Sequence, residues 1–243
     1  MRKLPDNYNE TFKEELLTGQ ILLIDKPYQW SSFDLVKKIR NIVGTYLHVK
    51  KPKVGHAGTL DPLATGLMIL CVGKKTKEID SHQAKIKEYI ATFKIGATTP
   101  SYDRESKEDK FFSTEHITNS LIKTVLNQFI GEQWQTPPIF SAKKIDGKRA
   151  YLNAREGIEM KMEPVRITIQ EMELVKGLDF NNEIVVRIVC SKGTYIRTIA
   201  YDLGVALNSG AYMTQLCRTK IGEFSLQNAV TLEEFRKFLF PDS

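Results

Sequence analysis

Cysteine is scarce in this chain of 243 residues. Cys71, Cys190 and Cys217 are scattered, odd in number and form no Cys-x-x-Cys pair. That pattern excludes a disulfide framework and a thiolate zinc site, and it points to a reducing compartment. Histidine is as sparse: His48, His56, His82 and His116 lack the spacing of metal ligands, so no metal is expected. Long apolar runs are missing. Leu67 to Val72 is far too short to span a bilayer, and the polar stretch Met1 to Glu15 does not read as a secretory signal. A phosphate loop is missing too. Gly73-Lys74-Lys75-Thr76 resembles the end of one, but Lys75 stands where Ser or Thr should follow Gly-Lys, and Met68 where the first glycine belongs. Nucleotide hydrolysis is set aside on that ground.

Positive charge is in mild excess. Lys and Arg number 35 against 29 Asp and Glu, which permits a polyanionic partner without demanding one. From Phe33 to Lys53 the only acid is Asp34, while Lys37, Lys38, Arg40, Lys50, Lys51 and Lys53 are basic. This run is either a solvated face or a phosphate track.

Periodicity predicts the elements. Ile21 to Ile24 reads as a buried strand, and Ser32 as the N-cap of a helix with Leu35, Val36, Ile39, Ile42 and Val43 on one face. Leu67 to Val72 and the alternating Lys87 to Ile95 read as strands. Gly96 to Lys110 is a polar loop. Thr114 is expected to cap a helix that carries Ile117, Leu121, Ile122, Val125, Leu126 and Phe129 and stops at Gly131. Gln133 to Phe140 is irregular and leads to the basic residues Lys143, Lys144, Lys148 and Arg149, then to a short helix from Ala150 to Glu156. Val165 to Ile169 and Glu183 to Cys190 form a hairpin around Gly177 to Asn182. Ser191 to Thr194 turns into a helix with Ile196, Ile199, Ala200, Leu203 and Leu207 on one face. Thr231-Leu232-Glu233-Glu234 is a capping box that opens a last helix. The strands imply a mixed α/β (α+β) domain with helices packed on a sheet.

The chemically odd stretch is Val54 to Leu67, with three glycines, Pro62, His56 and one carboxylate, Asp61, between apolar neighbours. On spacing alone, an Asx turn or an N-cap with Pro62 at the first helical position comes first for Asp61. The alternative is a carboxylate nucleophile kept ionised by a nearby cation. Arg197 is a candidate for that cation, because it falls in the first turn of its helix, where a positive charge opposes the macrodipole. Tyr89, on the apolar face of its strand, is either a core tyrosine or a stacking platform for a base. His56 is either a buried or capping histidine or a ring that stacks on, or wedges out, a nucleotide.

Gly55-His56-Ala57-Gly58-Thr59-Leu60-Asp61-Pro62-Leu63-Ala64-Thr65-Gly66 resembles the catalytic motif of the TruB family of tRNA pseudouridine synthases. The motifs Leu22 to Pro27, Lys87-Glu88-Tyr89, Phe140 to Lys143, Gly147 to Arg149, Ala154 to Gly157 and Cys190 to Thr198 fall in the same family order. The resemblance implies a pseudouridine synthase fold with a central, largely antiparallel sheet, as one catalytic domain over residues 1–243. It implies that Asp61 is the catalytic aspartate, that Arg197 is its salt-bridge partner and that Tyr89 is a catalytic residue, which stacks on the target base and is a candidate for the proton-transferring group. His56 would contact RNA where the nucleotide leaves the stack, and Leu216 would line the pocket. Lys26, Lys143, Lys148, Arg149 and Lys192 would bind RNA, and about 134–162 would be a thumb-like insertion.

The implied substrate is the T-arm of tRNA at uridine 55, with no cofactor, in a cytoplasmic monomer that needs no protein partner. Three departures stand out. Thr99-Pro100-Ser101-Tyr102-Asp103 keeps only the last acid of the usual family loop, Leu216-Cys217-Arg218 replaces a more usual Leu-Arg-Arg, and no C-terminal PUA domain is expected after the Thr231 helix. The alternatives are a tRNA T-arm chaperone with little catalysis and a guide-RNA-dependent relative.

Overall fold

The computed structural model describes residues 10–138, 144–145, 148–149 and 162–241. Lys143 and the helix expected from Ala150 to Glu156 lie outside the described residues. In chain order the elements begin with α1 (Glu10–Thr18), β1 (Ile21–Lys26), α2 (Ser32–Leu47), β2 (Val54–His56) and β3 (Ala64–Val72). A 3-10 turn over Gly73–Glu78 leads to α3 (Ile79–Ala84), β4 (Lys87–Ile95), β5 (Ala97–Thr98) and β6 (Lys110–Phe111). Then come α4 (Asn119–Gln128), β7 (Gly131–Gln135), β8 (Lys144–Ile145), β9 (Lys148–Arg149), β10 (Val165–Lys176) and β11 (Glu183–Cys190). The chain closes with α5 (Ile196–Ala206), β12 (Ala211–Ile221), β13 (Phe224–Ser225) and α6 (Leu232–Leu239).

Contacts divide the chain into two units, Met1–Tyr89 with Cys217–Ser243, and Ile90–Leu216. In the first unit β1, β3 and the last residues of β12 are successive neighbours, with β2 on β3 and β13 on β12. β1 and β2 both run antiparallel to β3, in registers Ile24↔Met68 and His56↔Leu70. Ala57, Leu67, Ile69, Cys71, Ile221 and Phe224 form a buried cluster. α2 buries Leu35, Val36, Ile39, Ile42 and Val43, the face its spacing predicts. Phe12 of α1 meets Phe238 of α6 edge-on, with ring centroids 5.1 Å apart.

In the second unit β4, β11, β10 and β7 are successive neighbours. β10 and β11 form the expected antiparallel hairpin, closed where the Asn182 N–H donates to Asp179. α4 buries Ile122, Val125 and Leu126, and α5 buries Ile196, Ile199, Ala200 and Leu203. Each such Ile, Val or Leu side chain taken from water contributes about 1.5–3 kcal/mol.

Three boundaries differ from the sequence expectation. The N-cap of α2 is Ser31, not Ser32: Ser31 is extended, its hydroxyl accepts from the Asp34 N–H, and the Asp34 carboxylate returns to the Ser31 N–H. The acid three residues after Ser31 was the available signal. α4 is capped by Thr118, whose hydroxyl accepts from the Leu121 N–H, while Thr114 closes a separate turn with Ile117. Gly131 does not end that helix. It opens β7, which pairs antiparallel with β10 from Val165↔Gln135 to Ile169↔Gly131, so Gln133 to Gln135 is a strand rather than irregular chain. Partnership with β10, not local alternation, makes it one.

Candidate functional site

Asp61 does not cap a helix. Its carbonyl accepts from the Ala64 N–H at 3.1 Å and β3 starts at Ala64, so Asp61-Pro62-Leu63-Ala64 is a tight turn into a strand. Pro62 occupies the second position, where its fixed φ fits. Of the structural readings of Asp61, the N-cap therefore falls away. The carboxylate-bearing residue itself is part-exposed, while Leu60 before it and Ala64 after it are buried.

The backbone around Asp61 is pinned at several points. The Ser32 hydroxyl, freed from capping, donates to the Leu60 carbonyl at 2.9 Å and accepts from the Leu60 N–H at 2.8 Å. The Gln29 N–H donates to the Pro62 carbonyl at 2.9 Å. Gly66 has φ +103° and donates its N–H to Asp25; a Cβ there would lie 2.4 Å from the Arg218 carbonyl oxygen, so only glycine fits at this point of β3. Arg218, on β12 and 1% exposed, donates to the carbonyls of Leu67 at 2.8 Å and Gly58 at 3.1 Å.

Lys26 completes this set. It has no exposed surface, and its ammonium donates to the carbonyls of Trp30 at 2.6 Å, Pro27 at 3.0 Å and Pro62 at 3.3 Å. Burial pulls its pKa down to about 8, against the attraction of the Asp61 charge. The structure thus spends this lysine inside the protein, on the loop carrying Asp61. His56, half-buried on β2, is held in its neutral form by burial first and by the Arg218 charge second.

In the second unit Arg197 is the second helical residue of α5 and 4% exposed. Its guanidinium meets the carboxylate of Asp103, itself 2% exposed, at 3.5 Å. Asp103 is fixed in turn: the Ser101 hydroxyl donates to it at 2.6 Å and the Glu105 N–H at 2.9 Å. α5 has no side-chain cap at Tyr195. Instead the Gln135 amide on β7 clasps that residue, accepting from its N–H at 2.8 Å and donating to its carbonyl at 3.1 Å. Asp103 and Gln135 are the residues that sequence reasoning missed. For Asp103 the signal was that it is the one acid of the motif Thr99 to Asp103; for Gln135 there was none.

Tyr89 on β4 is 8% exposed and Leu216 on β12 is 7% exposed, while Lys192 is exposed after β11. Lys148 and Arg149 form β9, paired with β8 in a two-stranded ribbon of their own. Of the basic run, Lys37, Lys38, Lys50, Lys51 and Lys53 are exposed, but Arg40 donates to the Val54 carbonyl at 3.0 Å and serves the loop. Among the described residues no group of His, Cys, Asp or Glu could hold a metal, and no helix is long and apolar enough to cross a membrane.

Residues 45–196 match the model of the TruB family pseudouridylate synthase N-terminal domain, and residues 197–242 match that of the tRNA pseudouridylate synthase B C-terminal domain. A Phocaeicola vulgatus protein called tRNA pseudouridine synthase B is 52% identical over 94% of this chain and 94% of its own. The Flavobacterium johnsoniae protein of the same name is also 52% identical, over 93% of this chain and 98% of its own. Among solved structures, a Cbf5-Nop10-Gar1 complex matches with a TM-score of 0.70 at 23% identity, over 94% of this chain and 56% of that one. That likeness is one of fold, and this chain spans little more than half of the matched chain. Since the first family model covers more than half of the sequence and such relatives match along nearly all of it, the chain belongs to the TruB family of pseudouridylate synthases.

Proposed function

We propose that the chain is a tRNA pseudouridine synthase that isomerises the T-loop uridine at position 55. The observation that carries this reading is Asp61, a part-exposed carboxylate on a turn whose backbone is held at Leu60, Pro62 and Gly66. Family membership and the names of the relatives support the substrate.

Uridine and pseudouridine are isomers, so the reaction needs no oxidant and no second substrate. The glycosidic C–N bond breaks, the base turns, a C–C bond forms to the same ribose carbon, and the proton on the new bonding carbon moves to nitrogen. The target nucleotide is flipped out of its loop to reach the protein. Asp61 acts as the essential carboxylate, by attack on sugar or base or by assisting departure of the base. Tyr89 stacks on the base. Arg197, held by Asp103, is the cation that the family pairs with the aspartate. His56, neutral, packs against the loop where the nucleotide leaves. Lys148, Arg149 and Lys192 bind phosphate, and so does Lys143. A pinned turn suits this work, because a catalytic carboxylate acts best when its position costs no reorganisation. The protein works as a cytoplasmic monomer, without a protein partner.

The test is pseudouridine formation on an unmodified tRNA transcript by the purified protein alone. Product is expected at the T-loop uridine, and its absence sinks the reading. Asp61→Asn is expected to lower turnover by on the order of a thousand-fold or more while tRNA binding persists. Turnover equal to the parent's removes Asp61 from its role.

A further inference from the structure

One cavity is lined by side chains to which the site above gives no task. It measures about 380 Å³, within the range of small-ligand sites, and is lined by Gln29, Trp30, Asp34, Lys37, Lys38 and Asn41. Its floor is the loop between β1 and α2. Gln29 there has φ 66°, a left-handed conformation that a residue with a side chain enters at a cost. That geometry lets its N–H reach the Pro62 carbonyl, while the Trp30 carbonyl accepts from Lys26 at 2.6 Å. The loop is therefore clipped by its backbone to the turn that carries Asp61. Its side chains are left to line the cavity.

The chemistry of the lining is specific. Trp30, part-exposed, is the aromatic residue of the lining. Lys37 and Lys38 are exposed ammonium groups on the first turns of α2. Gln29 and Asn41 carry amides that both donate and accept. Asp34 is the one acid, and its carboxylate is engaged by the Ser31 N–H and hydroxyl in the capping box. The aromatic side chains on either side of Trp30 in sequence are exposed, Tyr28 by 49% and Phe33 by 65%. An aromatic face, a pair of cations and amides able to read a base edge together suit an unstacked nucleotide. They do not suit an apolar peptide.

We propose that this shelf binds a nucleotide of the substrate RNA other than the reacting one, its base stacked on Trp30 and its phosphate on Lys37 and Lys38. The bound nucleotide thereby fixes the RNA to the same backbone that positions Asp61. This inference rests on the RNA-modifying function proposed above.

The experiment is equilibrium binding of an unmodified tRNA transcript to the full chain across a salt series, for the parent, Trp30→Ala, Trp30→Phe and the double variant Lys37→Gln/Lys38→Gln. Trp30→Ala is expected to weaken binding about ten-fold, and Trp30→Phe, which keeps a stacking face, to remain within about two-fold of the parent. The double lysine variant is expected to weaken binding and to reduce the slope of log Kd against log salt by roughly one unit. Binding as tight as the parent's in Trp30→Ala and in the lysine variant, with the slope unchanged, overturns the shelf. So does equal weakening by Trp30→Phe and Trp30→Ala. The lysine variant, altered only at exposed positions, decides the matter if Trp30→Ala fails to fold. Turnover by the parent on the same transcript separates the two readings. A parent that makes pseudouridine while the variants bind undisturbed overturns the shelf alone. A parent without product overturns the isomerase, and the binding series still decides the shelf.

Discussion

Lys26 in the first unit and Arg197 in the second are both buried cations, and the protein settles them differently. Lys26 gives its ammonium to three backbone carbonyls, those of Pro27, Trp30 and Pro62. Arg197 meets a carboxylate, Asp103, which is itself held by a hydroxyl and a backbone N–H. Carbonyl dipoles compensate only part of the cost of taking a charge out of water, so the lysine proton is loosened, to a pKa of about 8. A guanidinium stays charged in any case, and it needs a counter-charge when buried. The lysine acts as a clamp on backbone. The arginine is a fixed charge whose direction is set by the groups behind Asp103.

The contrast breaks first at the carboxylate. Asp103→Ala takes a counter-charge from a guanidinium that is 5% exposed and an acceptor from Ser101 and Glu105, and a loss of about 3 kcal/mol in stability by urea unfolding is expected. Asp103→Asn keeps hydrogen-bonding atoms and should lose less; equal losses would mean that charge is not what matters there.

Lys26→Met sharpens the other side. Three buried carbonyls lose their donor, and about 2 kcal/mol of stability should go with them at pH 7. The sign with pH follows from the lowered pKa. Between about 8 in the folded protein and 10.5 in the unfolded chain, the unfolded chain holds a proton that the folded protein releases. The penalty of the buried charge is therefore fully present below about pH 8 and is relieved as pH rises to 10.5. The advantage of the parent over Lys26→Met should widen across that window, by on the order of 2–3 kcal/mol. A constant gap would show that the ammonium keeps its ordinary pKa. Ser32→Ala removes only neutral pins from Leu60, and about 1–2 kcal/mol is expected in the same assay. A loss as large as that of Lys26→Met would erase the distinction between charged and neutral clamps.

Much of the fold was legible because its signals are local. Helical spacing marked the buried face of α2, alternation marked β4, and Thr231 with Glu234 marked the start of α6. β12 was not legible. Ala211 to Thr214 is buried at every residue, so the period-two contrast that betrays a half-buried strand is absent. β7 was hidden for the opposite reason, since Gly131-Glu132-Gln133-Trp134-Gln135 has little apolar content and becomes a strand by pairing with β10. Ser31 and Ser32 are alike in sequence, yet one caps α2 and the other pins Leu60, which lies 28 residues away in the chain.

Local pattern alone specifies the helices and strands with strong periodicity, the glycine-rich turn bearing Asp61, and the motif order of the family. The fate of the charges is settled in three dimensions. Pro62 lies 36 residues beyond Lys26, and Asp103 lies 94 residues before Arg197, so neither partnership leaves a local pattern. Whether a lysine is a surface contact or an internal clamp depends on which distant carbonyls surround it, because the energy of a charge is set by the medium and partners around it and not by its neighbours along the chain.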